Sequence, residues 1–91
     1  AAEAQSIGMI YKVFAADSFG EQVTALAKQM AQMPTKGLAL TKAALNASWT
    51  NDIRDQLSLE ETLQTEAGQT YDFNEGVKAF LEKRAPKFKG Q

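Results

Sequence analysis

The sequence predicts an all-α protein: four to five helices with one short extended segment. Three observations carry that reading. Apolar residues recur at helical spacing in separate windows. Helix-start and helix-stop residues bracket those windows. Only one run, Met9-Ile10-Tyr11-Lys12-Val13-Phe14, has the β-branched and aromatic composition of a strand. A lone strand cannot build a sheet, so this run is expected either to pair with something else or to remain an extended connector.

Taken in order, Ala2 to Ser6 reads as the end of a helix, with Gly8 as its stop. Ser18-Phe19-Gly20-Glu21 has the spacing of a capping box and is expected to open the next helix. That helix carries Val23, Leu26, Ala27 and Met30 on one side and is expected to run to Met33, before Pro34. Pro34 suits the first turn of a third helix, whose expected stripe is Leu38, Leu45 and Trp49, padded by alanines. Thr50 or Asn51 is the expected cap of a fourth helix. Its apolar positions Ile53, Leu57, Leu59, Leu63 and Ala67 cover a broad arc, which implies burial on two sides, and Gly68 is a plausible stop. Asp72-Phe73-Asn74-Glu75 reads as a further cap with Glu at its third position. The last helix presents Phe73, Val77, Phe80 and Leu81, and Pro86 is expected to end it.

At 91 residues the chain is at most one small domain with a thin core. It has neither Cys nor His. That excludes disulfides, the usual Cys/His zinc sites and any Ser-His or Cys-His catalytic pair, so no metal ligand is expected. No run of apolar residues is long enough to span a membrane. No basic region followed by an apolar stretch marks a signal peptide at Ala1, and a cytoplasmic location is expected. Net charge is −1, but it is unevenly placed: Asp52 to Glu75 holds seven acids against Arg54 alone, and from Lys78 onward five bases face only Glu82. The tail is therefore a local positive patch. Nucleic-acid binding is not expected of a chain that is acidic as a whole.

No catalytic constellation is present. The six glycines are scattered and form no phosphate loop. Glu60 and Glu61 are adjacent on a helix and diverge by about 100°, which is wrong for an acid–base pair and fits a solvated face. Ser48-Trp49-Thr50 has no base beside it. Met30 and Met33 read as apolar filler. The most suggestive pair is Phe80 and Lys83, at i, i+3 on the last helix. A ring with an ammonium beside it suits a flat base that carries phosphates, although a core Phe and a surface Lys would share the same spacing.

Three stretches resemble a known family: EAQSIGMIYKVF, LAKQMAQMPTKGLALTKAALN and LEETLQTEAGQTYDFNEGVKAFLEKRAPKFKG. Together they are similar to the C-terminal third of the enoyl-CoA hydratase/isomerase (crotonase) superfamily, and the resemblance covers nearly the whole chain. Asp72 to Phe88 is its most specific piece. PTKGLALTK and AGQTYDFNEGV look closest to the branch that isomerises epoxyphenylacetyl-CoA in bacterial phenylacetate degradation.

The resemblance implies an enzyme acting on acyl-CoA thioesters, assembled as trimers or paired trimers. Its chemistry uses two backbone N–H groups as an oxyanion hole for a thioester enolate, with carboxylates moving protons. In the family those elements lie in a β-β-α core, and no segment of this chain matches them. The expected division is residues 1–17 as the end of that core and residues 18–91 as a helical oligomerisation domain. Phe80 and Lys83 match the last-helix residues that reach the adenosine end of CoA bound to a neighbouring subunit. The expectation is a substrate-binding segment without catalytic residues, inactive alone, needing no cofactor beyond the coenzyme A of its substrate. The competing reading is a free-standing helical adaptor whose basic tail docks an acidic partner.

Overall fold

Helix α1 (Ala2–Ser6) stops at Gly8, whose φ of +74° is the left-handed conformation glycine adopts without steric cost. The Gly8 N–H donates to the Gln5 carbonyl and the Met9 N–H to the Ala4 carbonyl, which closes the helix in a Schellman motif. This is a computed structural model of the chain, and it describes residues 1–91. Four further helices follow: α2 (Phe19–Ala31), α3 (Thr35–Ala47), α4 (Ile53–Gly68) and α5 (Tyr71–Leu81). The chain is 64% helical and contains no strand, as the all-α reading expects. Met9 to Phe14 is an unpaired connector. The Val13 N–H donates to Gln5 Oε1 at 2.8 Å, which ties the connector back to α1, and Phe14 meets the Phe19 ring edge-on.

Several helix boundaries differ from the sequence reading, each for a local reason. Ser18 does precede α2, but its ψ of 5° is not the extended backbone that a capping hydroxyl needs. Its Oγ instead accepts from Gln22 Nε2 at 2.6 Å, so no capping box forms. Helix α2 ends at Ala31, two residues short of Met33. Helix α4 is capped by Asp52, not by Thr50 or Asn51: the N–H groups of both Thr50 and Asn51 still bond the Ala47 carbonyl of α3. Asp52 is extended, with ψ of 173°, and its Oδ1 accepts from the Arg54 and Asp55 amides, both at 2.9 Å. Helix α5 is capped by Thr70, whose Oγ1 accepts from the Phe73 N–H at 3.1 Å. Asp72 and Glu75, read from the sequence as cap and third residue, lie inside the helix and are engaged elsewhere. Finally, α5 stops at Leu81, well before Pro86.

Helices α3 and α4 pack along their length, and α4 meets α5 near their junction. The packing stripe of α3 is Gly37, Leu40, Ala44 and Ala47, not the expected Leu38, Leu45 and Trp49. Gly37, Ala44 and Ala47 let the two backbones approach, Leu40 is the one large residue half-buried among them, and Trp49 is turned outward, 88% exposed. Gln56 fastens the pair, donating from Nε2 to the Ala44 carbonyl at 3.1 Å and accepting from Asn51 Nδ2 at 3.2 Å. The broad apolar arc of α4 is covered on one side only: Leu59 and Leu63 are half-buried, whereas Ile53 and Leu57 are exposed.

The result is a flat, open body of 43 × 40 × 18 Å. Its radius of gyration is 16.8 Å, where a compact domain of this length would have about 12 Å. Its accessible surface of 7461 Å² exceeds the value of about 5,200 Å² for a compact chain of this size by roughly 2,300 Å². Only Asp72, Glu75 and Ala79 are buried, all on one face of α5. No helix is long and apolar enough to cross a membrane.

Candidate functional site

The most deeply buried corner of the molecule is built on that face. Residues at 72, 75 and 79 lie one above another on a helix, and the C-terminal segment Arg84–Gln91 folds back over them. Arg84 grips Glu75 with two prongs, Nη1 to Oε1 at 2.6 Å and Nη2 to Oε2 at 2.9 Å. Its Nε also reaches Glu82 Oε2 at 2.6 Å. The Lys87 N–H donates to Glu75 Oε1 at 2.8 Å. Three residues earlier on α5, Asp72 accepts from the Lys89 and Gly90 amides at 2.6 and 2.8 Å, and its own N–H donates to the Gln91 carbonyl at 3.0 Å. Between the two anchor points the Phe88 ring lies over Gly76, and Lys89 Nζ sits 4.2 Å from the centre of the Tyr71 ring. At its far end Gly90, with φ of +74°, abuts Thr35 at the start of α3.

The electrostatics follow from this geometry. The two bonds from Arg84, helped by the Lys87 amide, lower the Glu75 carboxyl to about 2, against the opposing push of burial. The same bonds to Glu75, with those to Glu82, raise the Arg84 guanidinium above its ordinary value. No buried polar side-chain atom lacks a partner.

The reversal that starts the strap is a second Schellman motif. The Lys83 N–H donates to the Phe80 carbonyl at 3.2 Å, and the Arg84 N–H to the Ala79 carbonyl at 3.0 Å. Lys83 takes the left-handed position with φ of 51°, where the end of α1 uses Gly8. Lys83 therefore lies past the helix end. The i, i+3 argument that put it on the same side as Phe80 does not apply, because α5 has stopped at Leu81. The two residues remain joined through the closing turn itself.

Phe80 stands 82% exposed on the rim of an open groove of about 480 Å³. Phe73, Val77 and Leu81 form its α5 wall, Phe88 of the strap closes one side, and Pro34 at the start of α3 closes another. Most of this wall is apolar. The groove can take a flat hydrophobic or aromatic group, and the lysines of the strap lie next to it in the chain. The sequence reading missed Asp72, Glu75 and Arg84 as a cluster. The available signal was a pair of acids three apart on a helix, followed by Lys-Arg-x-Pro, a basic stretch that cannot continue the helix.

Comparison with known proteins places this arrangement. The family model for enoyl-CoA hydratase/isomerase matches residues 1–91. The chain is 42% identical over 91 residues to the 1,2-epoxyphenylacetyl-CoA isomerase of Escherichia coli K12, covering all of this chain and 35% of that protein. It is likewise 42% identical over 91 residues to a probable enoyl-CoA hydratase of Rhodobacter capsulatus, again over 35% of the relative. Among solved structures, an enoyl-CoA hydratase of Geobacillus kaustophilus superposes with a TM-score of 0.88 at 30% identity, over 99% of this chain and 34% of its own. The chain thus spans about a third (35%) of the length of the curated relatives it matches. These findings do not favour the free-standing adaptor. With a match over its whole length and the same helical architecture, the chain belongs to the enoyl-CoA hydratase/isomerase family.

Proposed function

We propose that this chain is the C-terminal helical part of an enzyme that hydrates or isomerises an acyl-CoA thioester, and that it supplies subunit contacts and the adenosine end of the CoA site. The observation that carries the ligand assignment is the exposed Phe80 ring at the mouth of an apolar groove, joined through a single turn to Lys83. A stacked adenine would use the ring, and a phosphate would use the ammonium. Lys83 is held in a conformation costly for a residue with a side chain, by about 1–2 kcal/mol, which is consistent with a constrained functional position. The finer reading proposed, a role in phenylacetate degradation, rests on the PTKGLALTK and AGQTYDFNEGV stretches, since the 42% identity to the 1,2-epoxyphenylacetyl-CoA isomerase is matched by that to the probable enoyl-CoA hydratase. No residue of this chain is assigned to the chemical step, so the chain alone should be inactive. Turnover of an enoyl-CoA by the pure chain would sink that statement.

The surplus of surface supports the assembly reading. About 2,300 Å² on one chain is large enough to be covered by another body, either the rest of the same enzyme or a neighbouring subunit. The deciding experiment for the ligand is a titration of the chain with coenzyme A, followed through the amide resonances of Phe80 to Lys83. Saturable shifts that Lys83→Ala weakens by about 0.5–3 kcal/mol would support the assignment. Shifts that are unaltered in the variant would mean Lys83 is merely solvated.

A further inference from the structure

We propose that residues 84–91 form a latch, gripped as one cooperative unit by the two buried carboxylates of α5, and that its release swings Phe88 out of the groove. The argument rests on how the strap is held, not on the ligand assigned to Phe80 and Lys83. Asp72 and Glu75 are among the three buried residues of the whole chain, yet both are acids. Buried carboxylates are expensive unless fully paired, and here both are paired almost entirely by the strap: Arg84 and the Lys87 amide on Glu75, and the Lys89 and Gly90 amides on Asp72.

The two grips are coupled by geometry. The carboxylates are three residues apart on one helix face, and Phe88, seated over Gly76, lies between the segments they hold. Loss of the Glu75 carboxylate leaves Arg84 and the Lys87 amide without their acceptor, and loss of the Asp72 carboxylate does the same to the Lys89 and Gly90 amides, so the remaining grip must hold an otherwise unsupported segment. Three of the contacts are made by main-chain N–H groups, so the side chains of Lys87 and Lys89 are free of this duty. The charged groups that act on Glu75 belong to α5 and to the segment that follows it: Arg84 and Lys78 favour its ionised form, and Glu82 shares the Arg84 guanidinium. From α3 and α4, Lys36 and Glu66 are engaged with each other.

The latch is tested on the full 91-residue chain by amide hydrogen exchange and by the ring-current shift that Phe88 imposes on the Gly76 α-protons. At neutral pH the Lys87, Lys89 and Gly90 amides are expected to be protected together. In Glu75→Gln all three should exchange about tenfold faster or more, and the Gly76 shift should collapse, while α3 and α4 amides keep their protection. Asp72→Asn should release Lys87 in turn. Acidification of the unaltered chain provides the arm that needs no variant: protection of the three amides should vanish in one step. Lys89 and Gly90 staying protected while Lys87 is released, by substitution or by acid, would overturn the proposal in favour of two independent fastenings. Absence of protection at all three amides at neutral pH would overturn it outright.

Discussion

Glu75 and Arg84, nine residues apart, form a two-pronged ion pair of 2.6 and 2.9 Å across the reversal that ends α5. Glu75 is buried and Arg84 is partly so, with about a third of its side chain exposed. The pair explains much of the basic tail. Arg84 and three backbone amides of the tail neutralise acids of the same chain, and only the lysine side chains remain available to an outside anion.

Acid should weaken this corner in a defined window. Glu75 has its carboxyl lowered to about 2 from an ordinary value of 4.5. Its contribution is therefore fully present above about pH 4.5 and is lost as pH falls toward 2. Thermal midpoints of the chain and of Glu75→Gln, compared across that range, should converge in acid and separate above it. A constant separation would contradict the pairing.

Lys83→Gly should stabilise the end of α5 by about 1 kcal/mol, because glycine occupies the left-handed position without a Cβ clash. The same change should weaken coenzyme A binding. Urea unfolding followed by circular dichroism, beside the CoA titration, reads both. A substitution that moves stability and affinity in the same direction would count against Lys83 as a ligand contact.

Gly90→Ala is expected to free the last fastening of the strap. The backbone there has φ of +74°, and an added Cβ would fall 2.5 Å from Thr35 Oγ1. A local cost of about 1–2 kcal/mol follows from the conformation alone. Faster exchange of the Lys89 amide is the readout, and an unchanged rate would show that this end is not held.

Asp52→Ala should cost about 1 kcal/mol, since one carboxylate oxygen serves two first-turn amides of α4. Thr50→Ala should cost less, because its hydroxyl caps nothing in α4. Urea midpoints of the two variants give the comparison.

The isolated chain should self-associate. Trp49, Ile53, Leu57 and Phe80 are all more than half exposed, and the surface exceeds that of a compact domain. Light scattering should show a mass that rises with concentration. A clean monomer at millimolar concentration would remove the support for an interface role.

What the sequence determined by itself was local. Helical periodicity, the stop at Gly8, the unpaired run at Met9 to Phe14 and the break at Pro34 depend on neighbours within a few residues, and the family resemblance on the order of residues along the chain. The helix ends were less legible. Ser, Thr, Asn and Asp lie at 18, 50, 51, 52, 70 and 72, and the one that caps depends on which backbone is extended. Tertiary structure alone decided the rest. The α3 stripe of Gly37, Leu40, Ala44 and Ala47 faces α4 because its three small members let the backbones approach, and Trp49 is left outside. Asp72 and Glu75 turned from expected caps into strap anchors because the chain reverses after Leu81 and brings Arg84, Lys87 and Lys89 back over them. That contact spans up to 18 residues and depends on a left-handed lysine, which no local pattern announces.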